Sequence, residues 1–223
     1  MHEADGNAGT AACLKSDTEG TSMELVLVRH ASSTRADDGV WGRLYDAPLA
    51  SGYEAELAET KAALQAMELR RIISSPLLRC RETTKYLFPR ESIEFIEEFR
   101  AYHSGVFENS TLQFLQQNHS EYLARSYRER FLRPKFSEES LDAQVGRVAA
   151  GIFRVLGGEC QTMAIVTHYS VLNILANIAE RNWDVEAYAD GIYDVRVGCH
   201  IRLAVDPATV IKDVQDKFGH WLR

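Results

Sequence analysis

Short, fully apolar runs recur along this chain and are separated by stretches with helical spacing. The clearest run is Leu25-Val26-Leu27-Val28, and the run Met163-Ala164-Ile165-Val166 has the same character. Apolar runs without polar alternation are typical of strands buried on both faces of a parallel sheet. The pattern therefore predicts central strands at 24–29 and 163–167.

Helical spacing between the runs predicts the remaining elements. The clearest case is a helix over 140–156, whose predicted inner face consists of Leu141, Val145, Val148, Ile152 and Val155. Further helices are expected at 52–67, 77–87 and 170–181, further strands at 71–74, 93–97 and 199–205, and a polar, helical excursion at 108–136. Strands that alternate with helices predict an α/β fold, a three-layer sandwich with a mostly parallel central sheet flanked by helices.

The chain has 223 residues, enough for one domain with a substantial core. Residues 1–22 are rich in Gly, Ala, Thr, Ser and Asp and lack the basic and apolar regions of a secretory signal. We interpret them as a flexible N-terminal tail and 23–223 as a single domain.

Composition excludes several classes of function. A net charge of −7 argues against a general nucleic-acid binder, because binding to a phosphate backbone needs a basic face. No apolar run approaches the ~18 residues of a membrane span. The four cysteines are scattered without Cys-x-x-Cys spacing, which favours neither a zinc site nor a disulfide framework and predicts a cytoplasmic protein; they are Cys13, Cys80, Cys160 and Cys199.

Candidate chemistry lies just beyond the predicted strands. Arg29 and His30 follow the first strand, His168 follows the strand at 163–167, and Arg79 falls in the first turns of the helix after 71–74. Open α/β sheets place their ligands at this edge, and a helix N-terminus favours an anion. Arginine suits an oxyanion, and an imidazole can serve as base, metal ligand or nucleophile. These residues therefore predict an anion site.

A basic patch lies in the predicted helical excursion and consists of Arg125, Arg128, Arg130, Arg133 and Lys135. It could help to hold an anionic substrate. The alternative, which we favour, is a solvated helix face balanced by Glu121 and Glu129.

The motifs together resemble the histidine phosphatase superfamily, which includes the cofactor-dependent phosphoglycerate mutases and fructose-2,6-bisphosphatase. The matches run in the family's order over about 23–205. They comprise Arg29-His30-Ala31 for Arg-His-Gly, then Gly42, Asp46, Pro48, Leu49 and Gly52 in the following loop, then Ser74, Ser75, Leu77, Arg79 and Thr83, then Glu139-Ser140, and finally Val166-Thr167-His168-Tyr169.

The resemblance implies a role for each matched residue. His30 would accept the phosphoryl group, and Arg29, Arg79 and His168 would surround it and neutralise its oxygens. No metal or other cofactor is implied, because these residues supply the positive charge. We also expect four residues near these motifs to contact the substrate, namely Ser33, Arg35, His103 and Tyr169.

Three positions depart from the family's pattern. Ala101 stands where the family has its acid/base glutamate, Ala36 replaces an asparagine, and Tyr169 replaces the glycine after the second histidine. The residues that could substitute as proton donors are His103, Glu97, Glu98 and Glu108. A mutase must protonate alkyl oxygens reversibly, so the missing acid argues against that reaction.

The sequence thus predicts a metal-independent phosphatase that hydrolyses a phosphomonoester or phosphohistidine through phosphorylated His30. The alternative is a degenerate member of the family that binds a phosphorylated ligand or a protein partner with little turnover. The expected partner is a small phosphorylated substrate or a phosphoprotein, without nucleic acid or membrane, and the chain could form a homodimer.

Overall fold

A five-stranded sheet with strand order β3-β2-β4-β1-β5 forms the centre of the molecule. In this computed structural model the described residues are 22–157, 162–191 and 193–222. Strands β1 to β4 run parallel, and β5 pairs antiparallel with β1. The strands are β1 (Met23–Arg29), β2 (Arg71–Ser74), β3 (Ile93–Phe95), β4 (Met163–Thr167) and β5 (His200–Val205).

Helices connect the strands and cover both faces of the sheet. They are α1 (Tyr53–Gln65), α2 (Leu78–Leu87), α3 (Leu112–Asn118), α4 (Ser120–Ala124), α5 (Tyr127–Leu132), α6 (Leu141–Leu156), α7 (Tyr169–Ala179), α8 (Val185–Asp190) and α9 (Pro207–Phe218). None of the helices within the described ranges has the length and apolar composition needed to cross a membrane.

Side-chain alternation along β1 separates two hydrophobic clusters. Leu25 and Leu27 belong to a cluster with the inner faces of α6, α7 and α9. Val26 and Val28 point to the other face and pack with Leu57 of α1 and with residues of α2. Successive strand residues face opposite sides of a sheet, so this alternation requires a helical layer on each side. The predicted three-layer α/β fold is confirmed.

The predicted excursion at 108–136 contains the three short helices α3, α4 and α5. Phe107, Leu115 and Tyr122 form a small hydrophobic cluster of their own in this region. Helix α5 begins with a capping box, in which the Ser126 side chain accepts from the Glu129 backbone N–H and the Glu129 side chain accepts from that of Ser126. The excursion is thus held by its own core and caps.

The sequence prediction missed both α8 and α9. Helix α9 carries recognisable signals, because Asp206 caps its N-terminus and Pro207 occupies its first turn. Val210 and Val214 then follow at helical spacing and are buried. The predicted strand at 93–97 ends earlier, at Phe95, where the chain turns into a 3₁₀ helix at Glu97–Phe99.

Some sequence predictions lie outside the described residues. These are the flexibility of residues 1–21 and the states of Cys13 and Cys160. Within the described residues Cys80 and Cys199 are free thiols, and Cys80 is buried.

Replacing Val214 tests whether α9 belongs to the core. Val214→Ala removes two buried methyl groups and should lower the free energy of unfolding by about 1–2 kcal/mol. Gln215→Ala is the matched control, because Gln215 is exposed on the same helix and its substitution should change stability by less than ~0.5 kcal/mol. Urea unfolding measures the free energy of unfolding of both variants. Equal losses of stability in the two would contradict the packing of α9 against the core.

Candidate active site

A cavity of about 270 Å³ opens where β1 and β4 end. It is lined by residues from six separate parts of the chain: Arg29, His30, Ser32, Ser33, Arg35, Arg43, Arg79, Ala101, Tyr102, Tyr127, His168, Tyr169, Ser170 and Val197. The carboxyl ends of neighbouring parallel strands share one edge of a sheet, and this explains why residues so distant in sequence meet here.

The structure brings together most of the predicted site residues. Those that line the cavity are Arg29, His30, Ser33, Arg35, Arg79, His168 and Tyr169. His103 is not among the lining residues, and its Nδ1 accepts a hydrogen bond from the Gly105 backbone N–H at 2.9 Å. Gly105 has a φ of 69°, so the turn that follows His103 holds this imidazole away from the cavity.

His30 presents an unprotonated nitrogen to the cavity. Its backbone N–H donates to the Thr167 carbonyl at 3.0 Å, which ties the residue to the end of β4. Its Nδ1 lies 2.7 Å from the Ala31 carbonyl, so we assign the ring proton to Nδ1. Nε2 then carries a lone pair, and Arg79 Nε donates to it at 3.3 Å. Burial, and secondly the charge of Arg79, lowers the pKa of His30 to about 3.

Arg79 connects the cavity floor to the loop that follows β1. Its guanidinium is almost fully buried and donates to the carbonyl oxygens of Tyr45, at 3.1 Å, and Arg43, at 2.7 Å. The remaining N–H groups reach His30 and the Nδ1 of His168, the latter at 3.3 Å. Burial is the main cause of the lowered pKa of Arg79. Its orientation is therefore set before any ligand binds.

His168 lies beside His30, with the two ring centroids 5.1 Å apart and the rings inclined by 65°. Since Nδ1 accepts from Arg79, we assign the ring proton to Nε2, which donates to Ser75 Oγ at 2.9 Å. Burial and the charge of Arg79 hold the pKa of His168 well below its usual range. Both imidazoles are therefore neutral at pH 7.

Cys80 packs against His168, with Sγ 3.5 Å from Nε2. Burial raises the pKa of this thiol to about 12. A nucleophilic cysteine needs a thiolate, so Cys80 contributes packing rather than a second nucleophile.

Arg29 and Tyr169 form one wall of the cavity. The Arg29 guanidinium lies over the Tyr169 ring, 5.0 Å from its centroid, and Nη1 donates to the Val195 carbonyl at 2.7 Å. Tyr169 begins α7, where the resemblance leads one to expect a glycine, and its ring thus narrows the cavity.

Sequence reasoning missed Arg43 and Tyr127 as lining residues. Arg43 lies in the loop after β1, which has no periodic pattern, and its guanidinium lies 5.5 Å from the Tyr127 ring centroid. Tyr127 lies in the sequence between arginines of the basic patch, but two of those arginines contact other parts of the protein and not the cavity. Arg125 pairs with Glu138 at 3.1 Å, and Arg130 is buried over the ring of Tyr122. The patch itself does not line the cavity.

The glutamates proposed as proton donors do not line the cavity. The Glu108 carboxylate accepts from the backbone N–H groups of Arg43, Leu44 and Ser104. Glu97 lies 3.5 Å from Arg100, and Glu98 pairs with Arg154. Among the described residues, those that line the cavity include no carboxylic acid, and position 101 offers only a methyl group.

Comparison with known proteins points to one family. A sequence model described as the histidine phosphatase superfamily (branch 1) matches residues 25–204. The alpha-ribazole phosphatase of Shigella flexneri has a similar structure, with a TM-score of 0.68 and 21% identity over 82% of this chain and 94% of that one. A mycobacterial glucosyl-3-phosphoglycerate phosphatase is also similar, with a TM-score of 0.65 and 17% identity, and the match covers 81% of this chain and 89% of that one.

A further similar structure is that of the same mycobacterial enzyme in complex with VO3. It has a TM-score of 0.66 and 17% identity, and the match covers 81% of this chain and 92% of that one. No curated protein sequence matches this chain.

The neutral state of His30 predicts its titration. Because its pKa is lowered to about 3, its Cε1–H resonance in NMR spectra should stay unchanged from pH 8 to about pH 5. In the unfolded chain this histidine has its ordinary pKa of 6.5, so between pH 6.5 and about pH 3 the unfolded state binds more protons than the folded state. Stability should therefore fall as pH drops through this window, and less steeply in His30→Asn. The same variant assigns the resonance, and a midpoint between pH 6 and 7 would contradict the assigned state.

Proposed function

This chain belongs to the histidine phosphatase superfamily, and from that premise we propose that it hydrolyses phosphomonoesters or phosphohistidine through phosphorylated His30. The observation that carries the proposal is the unprotonated Nε2 of His30, a cavity residue, which accepts a hydrogen bond from the buried guanidinium of Arg79. When that N–H turns to a phosphoryl oxygen, the lone pair of Nε2 becomes available for attack. A nitrogen that is already unprotonated at pH 7 needs no base to activate it.

In the first step, His30 Nε2 attacks phosphorus and forms a P–N bond while the ester P–O bond breaks. The leaving oxygen takes the electron pair of that bond. Arg29 and Arg79 supply positive charge for the three equatorial oxygens, whose charge must be stabilised in the transition state, and the Arg79 N–H groups that reach the two imidazoles in the free protein are the donors that a phosphoryl group would take over. In the second step water attacks phosphorus, the P–N bond breaks with its electron pair going to Nε2, and phosphate leaves with both protons of the water while His30 returns to its neutral form.

His168 can contribute to this reaction once its imidazole gains a second proton. Its Nδ1 accepts from Arg79, so it can donate to a phosphoryl oxygen only after it gains a proton. A phosphate dianion beside the ring raises the pKa of the imidazole and favours that proton. A substrate that enters as its monoanion brings the proton with it.

The charges of the cavity support a reaction without a metal ion. Four arginines line it and supply positive charge from the chain's own side chains. Guanidinium groups can stabilise the developing charge that a divalent cation stabilises in other phosphoryl-transfer enzymes.

The methyl group of Ala101 favours substrates with good leaving groups. An alkoxide needs a proton in the transition state, whereas a phenolate or imidazole leaves with much less help. Because no carboxylic acid among the described residues lines the cavity, aryl phosphates and phosphohistidine fit it better than alkyl esters. The same feature disfavours a mutase.

A second candidate function is binding of a phosphorylated ligand with little turnover. The observations that favour it are Ala101 and Tyr169, which replace two family residues within the cavity itself. Turnover of an aryl phosphate by the purified protein separates the two functions.

Substitution of His30 and Arg79 tests the covalent mechanism. With p-nitrophenyl phosphate in the presence of a chelator, His30→Ala should lower turnover at least about 1,000-fold, because it removes the nucleophile. Arg79→Lys should lower it about 100-fold, since an ammonium cannot replace the oriented donors.

The matched control is His119→Ala, because His119 lies outside the cavity and should leave turnover unchanged. Rapid quenching with labelled substrate should trap phosphate on the wild-type protein and none on His30→Ala. Turnover above about one-hundredth of wild type in His30→Ala would exclude a phosphorylated His30. Activity that requires a divalent cation would contradict the metal-free reaction.

Restoring the carboxylic acid tests the role of position 101. Ala101→Glu should raise kcat/KM for glycerol 3-phosphate about tenfold or more and change that for phenyl phosphate much less, because only the alkoxide needs a proton. Ala101→Gln controls for the added bulk and should not raise alkyl turnover. Strong alkyl activity in the wild-type protein, with unchanged ratios in both variants, would show that another residue already donates the proton.

A further inference from the structure

The cavity holds more positive charge than one phosphoryl group requires. Four guanidinium groups line it, while the protein as a whole has a net charge of −7. A phosphate monoester carries at most two negative charges, because its second pKa is about 6. Arg29 and Arg79 stand next to the two histidines and match these charges. Arg35 and Arg43, from the loop between β1 and α1, remain.

Neighbouring carboxylates do not pair with these arginines. Among the described residues, none of the four guanidinium groups that line the cavity forms an ion pair with Asp or Glu. Glu108, whose charge acts on Arg35, directs its carboxylate to the backbone N–H groups of Arg43 and Leu44. Asp46, whose charge acts on Arg79, accepts from a backbone N–H at the start of α2. These acids stabilise the loop and leave the guanidinium groups for a ligand.

Arg43 is held in place before a ligand arrives. Its guanidinium rests over the ring of Tyr127, and its carbonyl accepts from Arg79. Tyr127 is the first residue of α5, and the capping box between Ser126 and Glu129 fixes this end of the helix. A preorganised cation loses little conformational entropy when it binds an anion.

Arg35 lies in a 3₁₀ turn, Thr34–Ala36, that begins four residues after His30. The Thr34 backbone N–H donates to the Pro48 carbonyl at 3.0 Å and thereby joins the two ends of the loop. Burial, and secondly the charge of Arg43, lowers the pKa of Arg35. The two cations line the same cavity, and a bound anion would offset their mutual repulsion.

We infer that the substrate carries a second anionic group, a carboxylate or phosphate, which Arg35 and Arg43 bind while Arg29 and Arg79 hold the reacting phosphoryl group. The inference rests on the proposed function and makes Arg35 and Arg43 its specificity-determining residues. Arg43 is exposed and Arg35 half-buried, so the second anion lies toward the cavity mouth. The volume of about 270 Å³ lies below that of pockets for drug-sized ligands and fits a small metabolite.

The test compares substrates of matched shape and different charge. 4-Carboxyphenyl phosphate is compared with 4-carbamoylphenyl phosphate, and the two 3-substituted isomers are compared in the same way. The amide withdraws electrons more strongly than the carboxylate, so leaving-group chemistry alone favours the neutral substrate. We expect the wild-type protein to prefer the carboxylate about tenfold or more in kcat/KM in at least one isomeric pair.

The variants assign that preference to residues. Arg35→Gln and Arg43→Gln should each bring the carboxylate-to-amide ratio close to one. Arg133→Gln is the matched control, because this arginine is exposed outside the cavity and its loss should keep the ratio. A wild-type ratio near one in both pairs would overturn the inference and leave the proposed function intact. A preference that persists in both cavity variants would overturn the assignment to Arg35 and Arg43.

Binding of substrate analogues separates this inference from the proposed function. 4-Carboxybenzylphosphonate and 4-carbamoylbenzylphosphonate cannot be hydrolysed, and calorimetric titration gives their dissociation constants. Without turnover of any phosphate, the proposed function fails, yet tighter binding of the carboxylate in the wild-type protein and its loss in Arg35→Gln would still support the second anion site. Equal dissociation constants would overturn it.

Discussion

The candidate site depends on one buried cation. Arg79 reaches two carbonyl oxygens of the loop after β1 and a nitrogen of each imidazole. A buried guanidinium costs much free energy unless its donors are satisfied, so the loop and both histidines must adopt the arrangement that receives them. The charge that fixes the geometry also helps to keep His30 and His168 unprotonated. One side chain thus fixes the geometry of the cavity and adds to the effect of burial that keeps both imidazoles neutral.

The strand ends were predictable, whereas the rest of the cavity was not. Apolar runs give the positions of β1 and β4, and parallel strands bring Arg29, His30 and His168 to one edge. Arg43 and Tyr127 reach the same cavity from segments whose path depends on loop conformation and on a separate small core. Local sequence patterns contain no signal for such distant contacts. His103 is likewise outside the lining residues, and its ring accepts a hydrogen bond from Gly105, whose left-handed conformation the sequence pattern does not indicate.

The arginines of this protein differ in function according to the groups that they contact. The arginines at 125 and 130 satisfy carboxylate and carbonyl oxygens within the helical excursion, and they therefore act as structural cations. Arg43 lies over the ring of Tyr127 in the same region, and within the described residues neither Arg43 nor Arg35 forms an ion pair. Arg35 and Arg43 differ from these structural arginines because the described part of the protein supplies no carboxylate partner for their guanidinium groups.

The missing carboxylic acid and the surplus of cations have a common consequence. A carboxylate at position 101 would stand among four guanidinium groups and neutralise part of their field. With a methyl group there, the field acts undiminished on the ligand, and it stabilises negative charge on the leaving oxygen as well as on the phosphoryl oxygens. Loss of a proton donor and gain of anion stabilisation therefore act in the same direction. Both favour a leaving group that departs as an anion.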